Sequence, residues 1–203
     1  ASRISEVLNE TLDLTDDNVT EDVPVKDGSI VFEHVDFSYS KDKDVLNLSD
    51  INFSIASGET IGIIGGTGSA KSTLVQLIPR LYDVLDGRIL VGGRDVREYK
   101  LDTLRRQVAM VLQKNVLFSG TIRENLLWGD ENATQEQVEE ACRAAQAHDF
   151  IKSFPDGYET ELGQGGVNVS GGQKQRLCIA RALLAHPKII ILPRRSSSAV
   201  WTP

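Results

Sequence analysis

The chain has 203 residues, with 22 basic and 29 acidic side chains giving a formal charge of −7, and it is 40% hydrophobic and 25% charged. That length supports one α/β domain with a substantial core, and the composition is ordinary for a globular protein. The acidic balance argues against a nucleic-acid role, which needs a clustered basic face, and no apolar run approaches the ~20 residues that cross a bilayer.

Residues 1–28 differ in character from the remainder of the chain. Ile4, Val7 and Leu8 suggest a short amphipathic turn, after which the carboxylates of Asp13, Asp16, Asp17, Glu21 and Asp22 run towards Pro24. The stretch reads as a linker, with a solvated tail an equally good reading. From Ile30 to Tyr39 apolar and polar residues alternate as in a half-buried strand, and Leu48-Ser49-Asp50-Ile51-Asn52-Phe53-Ser54-Ile55 alternates too. Thr60-Ile61-Gly62-Ile63-Ile64 is a third strand.

Gly65-Gly66-Thr67-Gly68-Ser69-Ala70-Lys71-Ser72 comes directly after that strand and leads into Thr73-Leu74-Val75-Gln76-Leu77. Strand, glycine-rich turn and helix start are the context a phosphate-binding loop requires. Glycines let successive backbone N–H groups converge on an anion, and the helix N-terminus adds partial positive charge. Lys71 would reach the β- and γ-phosphates, and Ser72 would offer its hydroxyl to Mg²⁺. Ala70 stands where the pattern GxxxxGK[ST] has its second glycine. A residue just before a helix usually has negative φ, so Ala70 is expected to fit without strain, with Gly66 and Gly68 as the left-handed positions.

Beyond the first helix, Asp86-Gly87-Arg88-Ile89-Leu90-Val91-Gly92-Gly93 is a short strand between turns. Val108-Ala109-Met110-Val111-Leu112 is a nearly continuous apolar run, suited to a strand buried on both faces. Residues 121–154 are helical in character; Thr134 and Gln137 make a capping box, and Val138, Ala141, Cys142 and Ala145 share one helical face. Cys142 and Cys178 lack metal-ligand spacing and read as buried hydrophobes of a reducing compartment. His34 and His148 read as structural. Ile189-Ile190-Ile191-Leu192 is a last, buried strand.

Residues 167–176 read Val-Asn-Val-Ser-Gly-Gly-Gln-Lys-Gln-Arg, continuing into Leu177-Cys178-Ile179-Ala180-Arg181-Ala182-Leu183-Leu184. Together with the phosphate loop upstream, this resembles the nucleotide-binding domain of ABC transporters over about residues 28–192. Ser170-Gly171-Gly172-Gln173 matches the family signature, with Val169 in place of its leucine. The resemblance implies a P-loop α/β core with a mainly parallel sheet, an N-terminal antiparallel β region and an inserted helical subdomain at about residues 114–180. It also implies binding of ATP and Mg²⁺. Tyr39 matches the aromatic that stacks on adenine, and a ring face binds a base without reading its edge. Gln113 matches the Q-loop glutamine, a neutral amide suited to Mg²⁺ or water.

Residues 170–172 open a helix and so form a second anion site, which in the family faces the γ-phosphate held by the other subunit of a head-to-tail dimer. Phe118-Ser119-Gly120-Thr121-Ile122-Arg123-Glu124-Asn125 resembles the stretch that meets the membrane domain in exporters, and Glu161-Leu162-Gly163-Gln164-Gly165-Gly166 resembles an exporter loop before the signature. Residues 1–28 then fit the connection from a transmembrane domain, and the implied place is the cytoplasmic face of a membrane.

One departure stands out. The family's strand ends in two carboxylates, one holding Mg²⁺ through water and one polarising the attacking water. Here Leu192 is succeeded by Pro193, Arg194 and Arg195, and no carboxylate appears after it. The D-loop aspartate and switch histidine of the family have no counterpart in the sequence, so the domain is expected to be C-terminally incomplete and to bind Mg-ATP while hydrolysing it poorly. A strand with an uncovered edge or face is expected at residues 189–192, ended early by Pro193. The alternatives are a non-catalytic nucleotide-binding module and a fragment that does not fold stably. Kinases and GTPases have no need of residues 170–173, and a soluble ABC protein of DNA repair or translation is disfavoured by the exporter-like segments.

Overall fold

The computed structural model describes residues 13–17, 19–66, 68–112, 114, 116–193 and 197–201. The turn expected around Ile4, Val7 and Leu8 lies outside the described residues. Chain order is β1 (Ile30–Phe37), β2 (Leu48–Ile55), β3 (Thr60–Ile64), α1 (Lys71–Leu77), β4 (Asp86–Val91), β5 (Arg94–Asp95), α2 (Leu101–Arg106), β6 (Val108–Met110), β7 (Gly120–Thr121), α3 (Ile122–Leu127), α4 (Gln135–Ala144), α5 (His148–Lys152), β8 (Glu161–Leu162), α6 (Gly171–Leu184), β9 (Ile189–Pro193) and β10 (Ser197–Trp201).

An antiparallel sheet of order β2-β1-β4-β5 forms from the alternating segments. Ile30, Phe32, Val35 and Phe37 of β1 point into the core, so the period-2 pattern slips by one residue at His34. His34 takes φ 50° and Asp50 opposite takes φ 46°, and the β1–β2 register shifts between Phe32 and Val35. This bulge turns Val35 inwards. It also explains Gly87 on β4, where a Cβ would lie 2.2 Å from the His34 carbonyl oxygen.

The second sheet has the order β3-β10-β9-β6. β9 runs parallel to β6, and β10 runs antiparallel to both β9 and β3, so β3, β9 and β6 share one direction. The sequence predicts an uncovered edge at residues 189–192, but β9 is paired on both sides and Ile189, Ile190 and Ile191 are at most 2% exposed. The hairpin formed with β10 supplies the missing neighbour; β3 and β6 end the sheet among the described residues. The strand also runs through Pro193 rather than stopping before it. The apolar run at residues 108–112 outlasts its strand. Val111 is buried and donates its N–H to the Ile191 carbonyl, while Leu112 is 57% exposed.

Two hydrophobic cores result. The first joins the antiparallel sheet to Val75 and Leu77 of α1, Leu104 of α2, Val108 and Ile189. The second gathers Leu117 from the segment before β7 and Ile122, Val138, Cys142, Ile151 and Leu177 from the helices between β6 and β9. Three capping boxes start its helices: Thr121 with Glu124, Thr134 with Gln137 as expected, and Ser170 with Gln173. Val138, Ala141, Cys142 and Ala145 do share the buried face of α4.

Three carboxylates of the acidic segment are bonded to the fold. Asp13 pairs with Lys41 at 2.9 Å, Asp16 accepts from the Leu101 N–H at 2.9 Å, and Asp22 accepts from the Thr103 hydroxyl at 2.6 Å. Lys100, at the N-cap of α2, has no capping side chain, so Asp16 serves that helix end from 85 positions away. Replacing it, Asp16→Ala, is expected to cost about 1 kcal/mol, read as a lower denaturant midpoint, with Asp17→Ala as the neutral control.

Both cysteines are buried free thiols. Burial pushes the Cys142 thiol up to about 11, and the Tyr158 phenol and the Cys178 thiol are raised for the same reason. A raised pKa in the folded state means that folding favours the protonated form. Stability is therefore expected to hold below the ordinary thiol value of 9.0 and to fall as pH climbs towards about 11. Denaturant midpoints taken across that range check this, and Cys142→Ala should flatten the decline, leaving the part due to Tyr158 and Cys178.

Candidate functional site

β3 delivers the chain to Gly65 and Gly66, a turn and bend follow at residues 68–70, and α1 begins at Lys71. Gly68 is left-handed at φ 82°, as expected; Gly66 is not. Ala70 corrects the expectation made for it: as the N-cap of α1 it takes φ 53° and ψ 19°, in the left-handed region. The chain has to change direction within one residue to seat Thr73, Val75 and Leu77 against the first core, and the packing of α1 overrides the local preference of alanine. The Ala70 carbonyl still accepts from the Leu74 N–H at 2.9 Å, and its methyl packs on the core.

The loop is close-packed at Gly65, where a Cβ would lie 2.6 Å from Ser69 Oγ and would displace that hydroxyl. The Lys71 ammonium draws the loop around itself. It donates to the carbonyls of Gly65 at 2.6 Å and Gly66 at 2.7 Å, and to Ser69 Oγ at 3.0 Å. Ser72 is exposed in the first turn of α1 and Thr73 is buried behind it. Residues 68–73 and Asn47 line a cavity of about 280 Å³ at this helix start. Thr67 and Gln113, both singled out by sequence, lie outside the described residues.

Tyr39 is brought to the same place. Its hydroxyl meets Thr73 Oγ1 at 2.9 Å and donates to Gln76 Oε1 at 3.4 Å, while its ring stays half exposed at 50%. Asn47, which no sequence pattern marks, ties the two parts together: its side-chain oxygen accepts from the Tyr39 N–H at 3.0 Å and it lines the cavity. This arrangement offers an aromatic face on one side and backbone donors with an ammonium on the other, the chemistry of a base joined to phosphates.

Ser170, Gly171, Gly172 and Gln173 sit at the start of α6, in the second core's part of the fold. The Ser170 hydroxyl accepts from the Gln173 N–H at 3.3 Å, and Gln173 Oε1 accepts from the Ser170 N–H at 2.8 Å. Gln173 is thus engaged in holding the helix end. The N–H groups of Gly171 and Gly172, in the same first turn, are not taken up by that capping box, and residues 170–172 are exposed. Val169 in the signature is buried at 6% in the second core.

Phe118 is presented by Asn125, whose side chain accepts from the Phe118 N–H at 2.8 Å and donates to its carbonyl at 2.9 Å. Phe118 stacks on Trp128 with ring centroids 4.7 Å apart, and both rings are exposed. With Leu112, Met110 and Arg181 they line an apolar cavity of about 400 Å³. In the sequence Trp128 is legible only as an aromatic near a helix end. His34 bonds to Asp50 at the surface, and His148 bonds to the Tyr158 hydroxyl.

After β9 the sequence places Pro193 and Arg194, and Arg194 lies outside the described residues. Among the described residues no group of three or more His, Cys, Asp or Glu could hold a metal ion. An Mg²⁺ ion at this loop would be carried mainly by phosphate oxygens and water, and the exposed Ser72 hydroxyl is a candidate protein donor to it. No helix among the described residues is long and apolar enough to cross a membrane.

The left-handed alanine generates a prediction. Ala70→Gly is expected to stabilise the protein by about 0.5–1 kcal/mol, since glycine removes the φ penalty and loses part of the gain to the unfolded chain. A rise in the denaturant midpoint at unchanged slope checks it.

The family model described as ABC transporter matches residues 48–193. Among curated proteins, YgaD of Bacillus subtilis (strain 168), named for multidrug export as an ATP-binding/permease protein, is 51% identical over 171 residues, 84% of this chain and 29% of that protein. SAV1866 of Staphylococcus aureus (strain Mu50 / ATCC 700699), named in the same terms, is 45% identical over 195 residues, 96% of this chain and 34% of that protein. The chain thus spans about a third of the length of these relatives. Among solved structures, a bacterial Atm1-family ABC exporter with ATP bound superimposes with a TM-score of 0.85 at 35% identity, covering 93% of this chain and 33% of that one. With the loop before Lys71, the capped Ser170 helix and the two-core fold in place, the chain belongs to the ABC transporter family and corresponds to its exporter-type nucleotide-binding domain.

Proposed function

We propose that the chain binds Mg-ATP as the nucleotide-binding part of an exporter, with the turn at residues 65–73 on the phosphates and Tyr39 on the adenine. The observation that carries this reading is the 2.9 Å contact between the Tyr39 hydroxyl and Thr73, which locks an exposed ring to the helix opening at the phosphate loop. Base and phosphates are recognised by one rigid unit, and little entropy is lost in ordering it on binding. Mg²⁺, held by Ser72 and the phosphates, would neutralise phosphate charge; Gln113 is the second candidate ligand from this chain.

The exposure of residues 170–172 supports a role in which this helix start meets the γ-phosphate bound by a second, similar domain in a head-to-tail pair. The Phe118–Trp128 stack beside its apolar cavity supports docking of a membrane-spanning portion around Phe118 and Asn125. The domain reading keeps residues 1–28 as the connection to that portion and about 114–180 as the helical subdomain, at the cytoplasmic face of a membrane. No role in binding nucleic acid is proposed.

Pro193 and Arg194 favour a second reading, a module that binds nucleotide without turning it over. Neither residue ligates a metal or polarises water, so a chain carrying them lacks the groups that in-line attack on the γ-phosphate needs. Titration calorimetry with Mg-ATP and a phosphate-release assay test both readings. Binding is expected, weakened about ten- to a hundredfold by Lys71→Ala through loss of a charge-assisted phosphate contact, with phosphate release at the buffer rate. Binding undisturbed by Lys71→Ala would sink the phosphate-loop reading, and sustained release would sink the binding-only one.

A further inference from the structure

We propose that Tyr82 is a positioning residue for base recognition, holding the Tyr39 ring edge-on so that its remaining face is presented to the nucleotide. The inference rests on the reading of Tyr39 as the base platform. Three rings form one cluster. Phe37 and Tyr39 have centroids 4.9 Å apart at 85°, Tyr39 and Tyr82 5.2 Å apart at 89°, and Phe37 and Tyr82 5.7 Å apart at 55°. The two pairs made by Tyr39 are edge-to-face, a favourable arrangement for aromatic quadrupoles, and the Phe37–Tyr82 pair is tilted. Phe37 is a core residue at 2% exposed, but Tyr82 is 41% exposed, so burial alone does not explain its place.

The segment that carries Tyr82 is built at a cost. It joins α1 to β4, and within it Arg80 adopts a left-handed φ of 51° with its side chain 8% exposed. That guanidinium pairs bidentately with Asp83 at 2.7 and 3.0 Å, yet its Nη1 has no hydrogen-bond partner among the described residues. Further bonds fix the backbone: Arg105 Nη2 donates to the Arg80 carbonyl at 2.9 Å, and the Leu85 N–H donates to the Asp36 carbonyl of β1 at 2.8 Å. A strained, over-determined turn of this kind persists where geometry matters, and what it presents is the Tyr82 ring.

Gln76 joins the two sides. Its side chain accepts from the Tyr39 hydroxyl at 3.4 Å and its carbonyl accepts from the Leu81 N–H at 3.1 Å, one residue before Tyr82. Tyr39 is therefore held at its hydroxyl by α1 and at its ring by Phe37 and Tyr82. Removing Tyr82 leaves the hydroxyl anchor and frees the ring to tilt. Contacts to the phosphate loop are untouched.

The test compares two probes on the full chain with Mg²⁺, ATP and inorganic tripolyphosphate, which has no base. Tyr82→Ala is expected to weaken ATP about three- to tenfold, the scale of a lost aromatic pair, and to leave tripolyphosphate affinity unchanged. Tyr82→Phe restores ATP binding, and Tyr39→Ala with Tyr82→Ala binds ATP no more weakly than Tyr39→Ala alone. Equal loss on both probes would show a disturbed phosphate loop and overturn the proposal, as would additive losses in the double variant or no loss with Tyr82→Ala. If Tyr39→Ala itself leaves ATP affinity unchanged, the base-platform reading falls first. If Tyr39→Ala matters and Tyr82→Ala does not, only the positioning role falls.

Discussion

The reversal between β3 and α1 is the constraint on which the rest of the site depends. A strand and a helix are joined by a turn so short that a left-handed backbone is needed at both Gly68 and Ala70. An alanine in that conformation persists because α1 buries Thr73, Val75 and Leu77 behind it, and that burial outweighs about 1 kcal/mol of local strain. Lys71 stabilises the turn from inside by donating to two carbonyls and a hydroxyl. Once α1 is fixed, Thr73 and Gln76 fix the Tyr39 hydroxyl, and Asn47 fixes its backbone. The loop around Lys71 and the Tyr39 ring are thereby tied to the same helix.

Two cores divide the labour. The first carries the phosphate loop and Tyr39; the second carries the Ser170 helix and the Phe118–Trp128 surface. They are joined where β6 and β9 meet, since Val108 and Ile189 pack in the first core and Val111 and Leu184 in the second. β10 completes the sheet between β3 and β9, pairing with both along its length. It gives the strand ahead of the phosphate loop a direct backbone partner and covers the flank of β9. A short hairpin strand does this without a crossover helix, which is why it runs antiparallel.

Local patterns were legible where the physics is local. The Thr134–Gln137 box depends on residues three apart and appeared as expected, as did the buried face of α4. The glycine-rich turn and its helix were legible because an anion-binding loop needs small residues and a lysine at fixed spacing. The bulge at His34 was not, because it depends on which residue of β2 lies opposite and on Gly87 passing beneath. Leu112 read as core and is exposed, since an apolar run does not say where its strand stops. The acidic segment read as linker or tail because no local signal reveals that Asp16 caps α2 from a distance.

By itself, then, the order of residues determined the strand-loop-helix unit at Lys71, the helix opening at Ser170, and the placing of Pro193 and Arg194 directly after Leu192. These are properties of spacing and of chemical type. Tertiary structure alone decided the conformation of Ala70, the pairing of β9 on both sides, and the meeting of Tyr39 with Thr73, Asn47 and Tyr82. Each of these is a contact between segments far apart in the chain. Its energy comes from burial and from hydrogen bonds that exist only after the first core has closed.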